Sequence, residues 1–510
     1  MKSRDRQAVR PQRHVLSTGS ELGTRVAVGL RWSALDQVVQ QVMRISITAL
    51  LAHLVAPAEF GLMAMALVFS NLGRLLGDLG LAPGLIQRRQ LTDRHISTAF
   101  VVGGLFGLLL AAILAALSGP IAGFYHQPRL RPMLLVLSLT FVFAGLTGTP
   151  HSLLRRSFMF RPFVFCYALA VGIGGTTGVV IALLGGGVWA LVLAAVVESF
   201  IGSVAAFAIT VAAGLWRPSL RFSRAALRDL MGFGASVSAS RLLLYGRQNL
   251  DNLLVGRVLG ATALGLYNLA YSMMLYPIQR VSDVVSNVSL AAFSSIQDDR
   301  TRMAAAYRRA VRTICLVVFP LSIGSLIATP IIVPVVFGPR WIPAVAAVQI
   351  LALNGPRIAL TSLNTSALQA IGRPSWELLL QIAMSVLMTV AFFVGVQFNI
   401  EAVAAGFTIV GYLILPFALW LMKRALGIGS SQLLGAIAPV VAATGVMALA
   451  AEFARRLTAE ALPLPAQLVI VVVVGAIAYL LALLAVGRTA LRQAAQDVLR
   501  RGRTATASHR

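Results

Sequence analysis

The chain has 510 residues, 58% of them hydrophobic and only 12% charged, with a mean hydropathy of +0.83, which excludes an ordinary soluble domain. The formal net charge of +26 does not mark a nucleic-acid binder, because the basic residues sit between apolar runs and not on a soluble face. Two cysteines, Cys166 and Cys315, both inside apolar runs, exclude a disulfide framework, and six scattered histidines form no metal pattern.

Apolar runs of about 20 residues, the length that crosses a bilayer as a helix, recur about fourteen times. Without the alternation of a β-barrel, they predict an all-α polytopic membrane protein. A basic tail over residues 1–30 comes first, with no cleavable apolar leader and so no predicted signal peptide. Six spans follow within 31–213: Arg31–Ala56, Ala58–Gly80, Ser97–Ser118, Leu130–Thr149, Phe163–Leu184 and Val188–Ala213. In the first, Asp36, Gln40 and Arg44 step by four beside Gln37 and Gln41, opposite Val38, Val39, Val42 and Ile45. The second carries Arg74 and Asp78 four apart, and the sixth carries Glu198 with no charge near it in sequence. A carboxylate so placed is either a protonation site or hydrogen-bonded.

A basic, amphipathic linker, 214–230, leads to a second set of six spans within 231–426. These are Met231–Val258, Ala261–Val285, Val311–Phe337, Ala344–Ile371, Trp376–Phe398 and Glu401–Leu421. The seventh span is the most polar. On one helix Arg241, Tyr245, Gln248 and Asn252 share a stripe, Asn249 lies beside it, and Arg247 and Asp251 pair one turn apart. Each central charge costs roughly 2.5–3.5 kcal/mol on the insertion scale against about 0.5 returned per leucine. This helix must therefore face water, a polar substrate or other helices. The eighth span carries Arg280 and Asp283 three apart and the tyrosines Tyr267, Tyr271 and Tyr276. Pro320, Pro330 and Pro334 are expected to kink or break the ninth, and Arg357 stands alone in the tenth. Two further spans, Gln432–Phe453 and Pro465–Val486, fill 431–487 before a basic tail, 488–510.

Three sequence matches in order suggest an internal repeat. Leu50–Leu62 resembles Leu254–Leu266, Gln127–Pro132 resembles Gly338–Pro343, and Arg161-Pro162 resembles Arg373-Pro374. A six-span repeat returns to its starting side, so two parallel six-helix lobes plus two C-terminal helices are predicted, with a site between the lobes. The first and seventh spans, and the second and eighth, then correspond. Two facing polar stripes make a hydrated, partly cationic cavity, or else the same groups pair off and only hold helices together. Arg74 with Asp78 and Arg280 with Asp283 suit salt bridges or gate locks. Arginine clusters alternate from loop to loop, which places both termini in the cytoplasm. Trp32, Trp216, Trp376 and Trp420, near span ends, suit an interfacial belt. No phosphate-binding GxxxxGK[ST] loop, G-x-S-x-G motif or large loop with paired acid–base residues is present. No enzyme activity and no cofactor are predicted.

Short elements along nearly the whole chain resemble the polysaccharide (oligosaccharidyl-lipid) flippases of the multidrug/oligosaccharidyl-lipid/polysaccharide exporter superfamily. They include Asp78-Leu-Gly80-Leu81, Leu85-Ile86-Gln87-Arg88, Leu91-Thr92, Phe124-Tyr125, Arg156 with Phe160-Arg161 and Gly187-Val188-Trp189-Ala190-Leu191. In the second half they are Phe222-Ser223, Asn249-x-Asp251, Gly256-Arg257-x-x-Gly260, Leu264-Gly265-x-Tyr267 and Trp341-x-x-Ala344. The resemblance implies fourteen helices, a bacterial inner-membrane location and, as substrate, an oligosaccharide repeat unit linked through pyrophosphate to a polyprenyl lipid such as undecaprenol. It also implies a role in exopolysaccharide or lipopolysaccharide synthesis. Candidate partners are membrane lipids, a proton or sodium coupling ion, and polysaccharide polymerase and export machinery.

For that substrate the expectation is alternating access. Arg44, Arg241 and Arg247 attract the pyrophosphate, and Gln37, Gln40, Gln41, Tyr245, Gln248, Asn249 and Asn252 line the path of the sugars. Asp36, Asp251, Arg74, Asp78, Arg280 and Asp283 are the coupling or gating candidates. The alternatives are a cation-coupled multidrug antiporter of the same superfamily, a polyprenyl-linked glycosyltransferase or polymerase, and a passive scramblase.

Overall fold

Tertiary structure was taken from a computed structural model, which describes residues 40–77, 84–85, 91–157, 159–231, 245–246 and 249–486. All regular structure among them is helical. The chain divides into two compact units, Met1–Thr262 and Ala263–Arg510.

The first unit contains α1 (residues 40–54), α2 (Pro57–Gly77), α3 (Asp93–Phe124), α4 (Leu130–Arg156), α5 (Phe160–Leu183), α6 (Val188–Ala212), a short α7 (Arg224–Met231) and α8 (Leu250–Val258). From Gly260, α9 (Gly260–Ser294) runs into the second unit. There follow α10 (Arg300–Val336), a 3-10 turn (Pro339–Ala344), α11 (Val345–Ala352), α12 (Asn354–Thr361) and α13 (Asn364–Ala370). The last helices are α14 (Pro374–Gly395), α15 (Ile400–Leu426), α16 (Ser430–Thr458) and α17 (Leu464–Val486).

Among the described residues ten helical segments are long and apolar enough to cross a membrane. Outside the ten lie α1, α2, α8 and α9, where the sequence places the first, second, seventh and eighth spans. Each of the three matched sequence pairs falls at a helix junction. Pro57 opens α2, and Gly260, at φ +86°, opens α9. Pro128-Arg129 precedes α4, and Pro339-Arg340 opens the 3-10 turn. Arg161-Pro162 and Arg373-Pro374 stand at the starts of α5 and α14.

Small residues set the closest approaches in the first unit. Gly103 and Gly107 of α3 face Gly145 of α4, and a Cβ on Gly103 would lie 2.7 Å from the Gly145 carbonyl oxygen. On α5, Gly172 and Gly175 receive Met43 and Ile47 of α1, while Gly174 lies against Ala194 and Glu198 of α6. Trp216 was expected at the lipid interface, but it is buried and packs on Phe100 at 5.0 Å and Phe207 at 6.4 Å. The chain leaving α6 folds this ring back onto α3, where it covers apolar surface.

In the second unit α10 continues through Pro320, Pro330 and Pro334 and does not break. A proline removes the N–H that would bond the carbonyl four residues earlier. Two of those carbonyls are taken by side chains: Tyr479 Oη donates to Leu316 O at 2.8 Å, and Gln349 Nε2 donates to Leu326 O at 3.0 Å. Such replacement partners are what make proline tolerable inside a membrane helix. The two C-terminal helices pack on α10 through Ala451, Ala454 and Val471 near Ile331 and through Met447, Tyr479 and Leu483 near Leu316 and Ile323.

The tenth expected span is interrupted twice, at Leu353 and at residues 362–363. The backbone stays right-handed at both points, but the helical ladder lapses there. Tyr412 Oη donates to Leu353 O at 2.7 Å, and Asn354 Nδ2 donates to Leu351 O at 3.3 Å.

Candidate functional site

Arg44 sits on α1, and its surroundings follow from the glycines of α5. Because α5 presents Gly172 and Gly175 to α1 and Gly174 to α6, the three backbones come close enough for their polar side chains to meet. Arg44 Nε donates to Tyr167 Oη at 2.8 Å, and a terminal nitrogen donates to the same oxygen. Arg44 Nη2 donates to Glu198 Oε1 at 2.9 Å. The guanidinium also lies over the Tyr167 ring, 5.5 Å from its centroid. Glu198 is therefore ion-paired, not isolated as its sequence surroundings suggested. The cluster is open on one side: the Arg44 side chain is 51% exposed and that of Glu198 31%.

The seventh span departs from its expected form. Asn249 Nδ2 donates to Tyr245 O at 2.9 Å, the carbonyl its own backbone N–H would take in a continuous helix. That N–H turns to Gly246 O at 3.4 Å instead. An asparagine competing with the backbone in this way ends the helical ladder, and α8 starts at Leu250 with Asn249 as its N-cap. Asn249 thus stands at a turn between Tyr245 and Asn252. Asp251 is buried in the first turn of α8, where negative charge suits the helix dipole, and its Oδ1 accepts from the Asn252 backbone N–H at 2.8 Å. Tyr245 Oη donates to Val68 O at 2.7 Å. Burial pushes the phenol of the neighbouring Tyr125 above its usual range, and Tyr245 adds to the shift.

Of the other candidates, Gln41 and Arg280 are exposed and Gln40 and Asn252 half-buried. Asp36, Gln37, Asp78, Arg241, Arg247 and Gln248 lie outside the described residues, as do the side chains of Arg74 and Asp283.

Two further charged groups were not among the site candidates. Glu59, in the first turn of α2, takes a two-pronged ion pair from Arg129 at 3.0 and 2.9 Å, tying α2 to the start of α4. Arg357, on α12, is buried and bonds the amide oxygen of Asn354, so it too has a partner, though not a carboxylate. Glu198 was legible as an odd residue in an apolar run and Glu59 was not singled out; the partners of both, 154 and 70 positions away, left no local signal. Among the described residues no group of three or more His, Cys, Asp or Glu could hold a metal ion.

Solved transporters share this architecture. The chain superposes on the lipid II flippase MurJ, in an inward closed conformation, with a TM-score of 0.70 over 91% of this chain and 100% of that one, at 14% identity. On an inward-facing multidrug resistance MATE family transporter of the MOP superfamily the TM-score is 0.59 over 76% and 94%, also at 14% identity. The class is thus an all-α multi-pass membrane protein with the fold of these transporters. The sequence model of the family described as polysaccharide biosynthesis protein matches residues 50–346, more than half of the chain, and the chain belongs to that family. Among its relatives are the lipopolysaccharide biosynthesis protein WzxC of Escherichia coli (strain K12), 27% identical over 69% of each chain, and the teichuronic acid biosynthesis protein TuaB of Bacillus subtilis (strain 168), 26% identical over 94% of this chain and 98% of that one. The succinoglycan biosynthesis transport protein ExoT of Rhizobium meliloti (strain 1021) is 23% identical over 69% and 71%.

Proposed function

We propose that the protein is a flippase that moves polyprenyl-pyrophosphate-linked oligosaccharide repeat units across the bacterial inner membrane for surface polysaccharide synthesis. Fourteen helices in two parallel six-helix lobes plus two C-terminal helices, with both termini in the cytoplasm, carry it out by alternating access. A pyrophosphate–sugar head group is anionic and strongly hydrated, so it needs a polar route through hydrocarbon. The observation that carries the reading is the half-open guanidinium of Arg44, held within the first unit by one carboxylate and one phenol. Its planar fork matches phosphate oxygens as well as it matches Glu198.

Arriving pyrophosphate exchanges with Glu198 on Arg44, with Arg241 and Arg247 as further cationic contacts. The released carboxylate takes a proton or sodium, which makes Glu198 the group through which an ion gradient acts. Gln37, Gln40, Gln41, Gln248, Asn249 and Asn252 line the sugar path, while Asp36, Asp251, Arg74, Asp78, Arg280 and Asp283 serve coupling or gating. The test is movement of a lipid-linked oligosaccharide in reconstituted vesicles. Arg44→Ala and Arg241→Ala are expected to lower the rate at least tenfold, and wild-type rates in both would remove these residues from the substrate's path.

A further inference from the structure

Arg357 is 6% exposed and sits on the middle segment of the twice-interrupted span, between Leu353 and residues 362–363. A guanidinium offers five N–H donors. Here Nε and Nη2 both point at one oxygen, Asn354 Oδ1, at 3.3 Å each. Asn354 is itself fixed, because its Nδ2 donates to Thr408 Oγ1 at 2.7 Å. The remaining N–H groups of Arg357 meet no acceptor, and no carboxylate pairs with it, among the described residues. Burying a cation with so little compensation is unfavourable unless a further acceptor arrives, and an unneutralised charge within a span marks a functional site.

The surroundings have the shape of a receptor for that acceptor. The guanidinium lies over the Phe407 ring at 5.9 Å, and Tyr271 meets Phe407 edge-on at 6.3 Å. On α15, Gly411 leaves the space the guanidinium fills: a Cβ there would lie 2.7 Å from Arg357 Cζ. Interrupted membrane helices recur where transporters bind polar solutes.

We propose that Arg357, positioned by Asn354 and Gly411, is an oxyanion-binding residue of the second unit, separate from Arg44, with Phe407 and Tyr271 offering aromatic surface to an adjoining sugar. The proposal rests on the transport reading above. The oxyanion is either the pyrophosphate of the lipid carrier or the carboxylate of an acidic sugar, since both present paired oxygens to the fork.

The experiment is calorimetric titration of the purified full chain with inorganic pyrophosphate and, separately, glucuronate. A background with Arg44→Ala, Arg241→Ala and Arg247→Ala removes the cationic contacts proposed for the first unit. One of the two anions is expected to bind, and adding Arg357→Met to weaken it at least tenfold. The anion affected identifies the source. Gly411→Ala, which keeps the arginine but intrudes on its place, is expected to weaken the same anion and decides the matter if the methionine variant does not fold. Equal affinities with and without these changes, or no binding of either anion, mean that water alone satisfies Arg357 and overturn the proposal. Vesicle assays of the wild type keep the two readings apart: loss of lipid-linked oligosaccharide movement there counts against the transport reading, whereas unchanged titrations count only against Arg357.

Discussion

Glu198 and Arg44 are open enough to water or ligand that their mutual attraction contributes no more than about 1 kcal/mol to folding. The pair's effect on anion binding is larger, because any phosphate must displace Glu198 from the same fork. Glu198→Gln keeps the shape and removes the competing charge. It is expected to bind inorganic pyrophosphate about tenfold tighter, roughly 1.4 kcal/mol, with little change in melting temperature. Slower transport should accompany the tighter binding, since release is then the harder step. A pair that serves only to join α1 to α6 would instead lower the melting temperature and leave pyrophosphate affinity where it was.

Single helices show how sequence cues can be overridden by distant partners. Three prolines in one span argue for a break, yet α10 runs from Arg300 to Val336 because Tyr479 and Gln349 occupy two of the freed carbonyls. Those partners lie 163 and 23 positions away, beyond any local pattern. Tyr479→Phe is expected to cost about 1 kcal/mol, the net worth of one hydrogen bond. With alanine at position 320 the backbone N–H returns and the phenol is no longer needed. The loss on Tyr479→Phe should then shrink in the Pro320→Ala background, and equal losses in both would show that the hydroxyl does not cover this carbonyl. The interrupted tenth span had its signal in plain view, because Asn354-Gly355-Pro356 is a turn-prone run inside an apolar stretch. Asn249 is the counterpart in the seventh span. There periodicity alone suggested one long helix, whereas the asparagine side chain takes the Tyr245 carbonyl and the described helix starts only at Leu250.

Across the molecule, the membrane class was legible from apolar runs of bilayer length, and ten of them stand as candidate spans among the described residues. What the sequence alone left unread is which polar groups meet. The Arg44–Glu198 contact is decided by glycines at 172, 174 and 175, which act through backbone spacing and leave no chemical trace of their own.

The two thiols, Cys166 and Cys315, are the only ones in the chain, and both are buried and unpaired. The native protein is therefore nearly silent to a membrane-impermeant maleimide, and one introduced cysteine becomes a reporter of sidedness. Ser157, which ends α4 just before α5, and Leu184, just after α5, are both exposed and suit that use. The proposed orientation, both termini in the cytoplasm, predicts that Leu184→Cys reacts once the reagent reaches the periplasmic face and that Ser157→Cys reacts only after the inner membrane is opened; the reverse order would turn the proposed topology over in the bilayer.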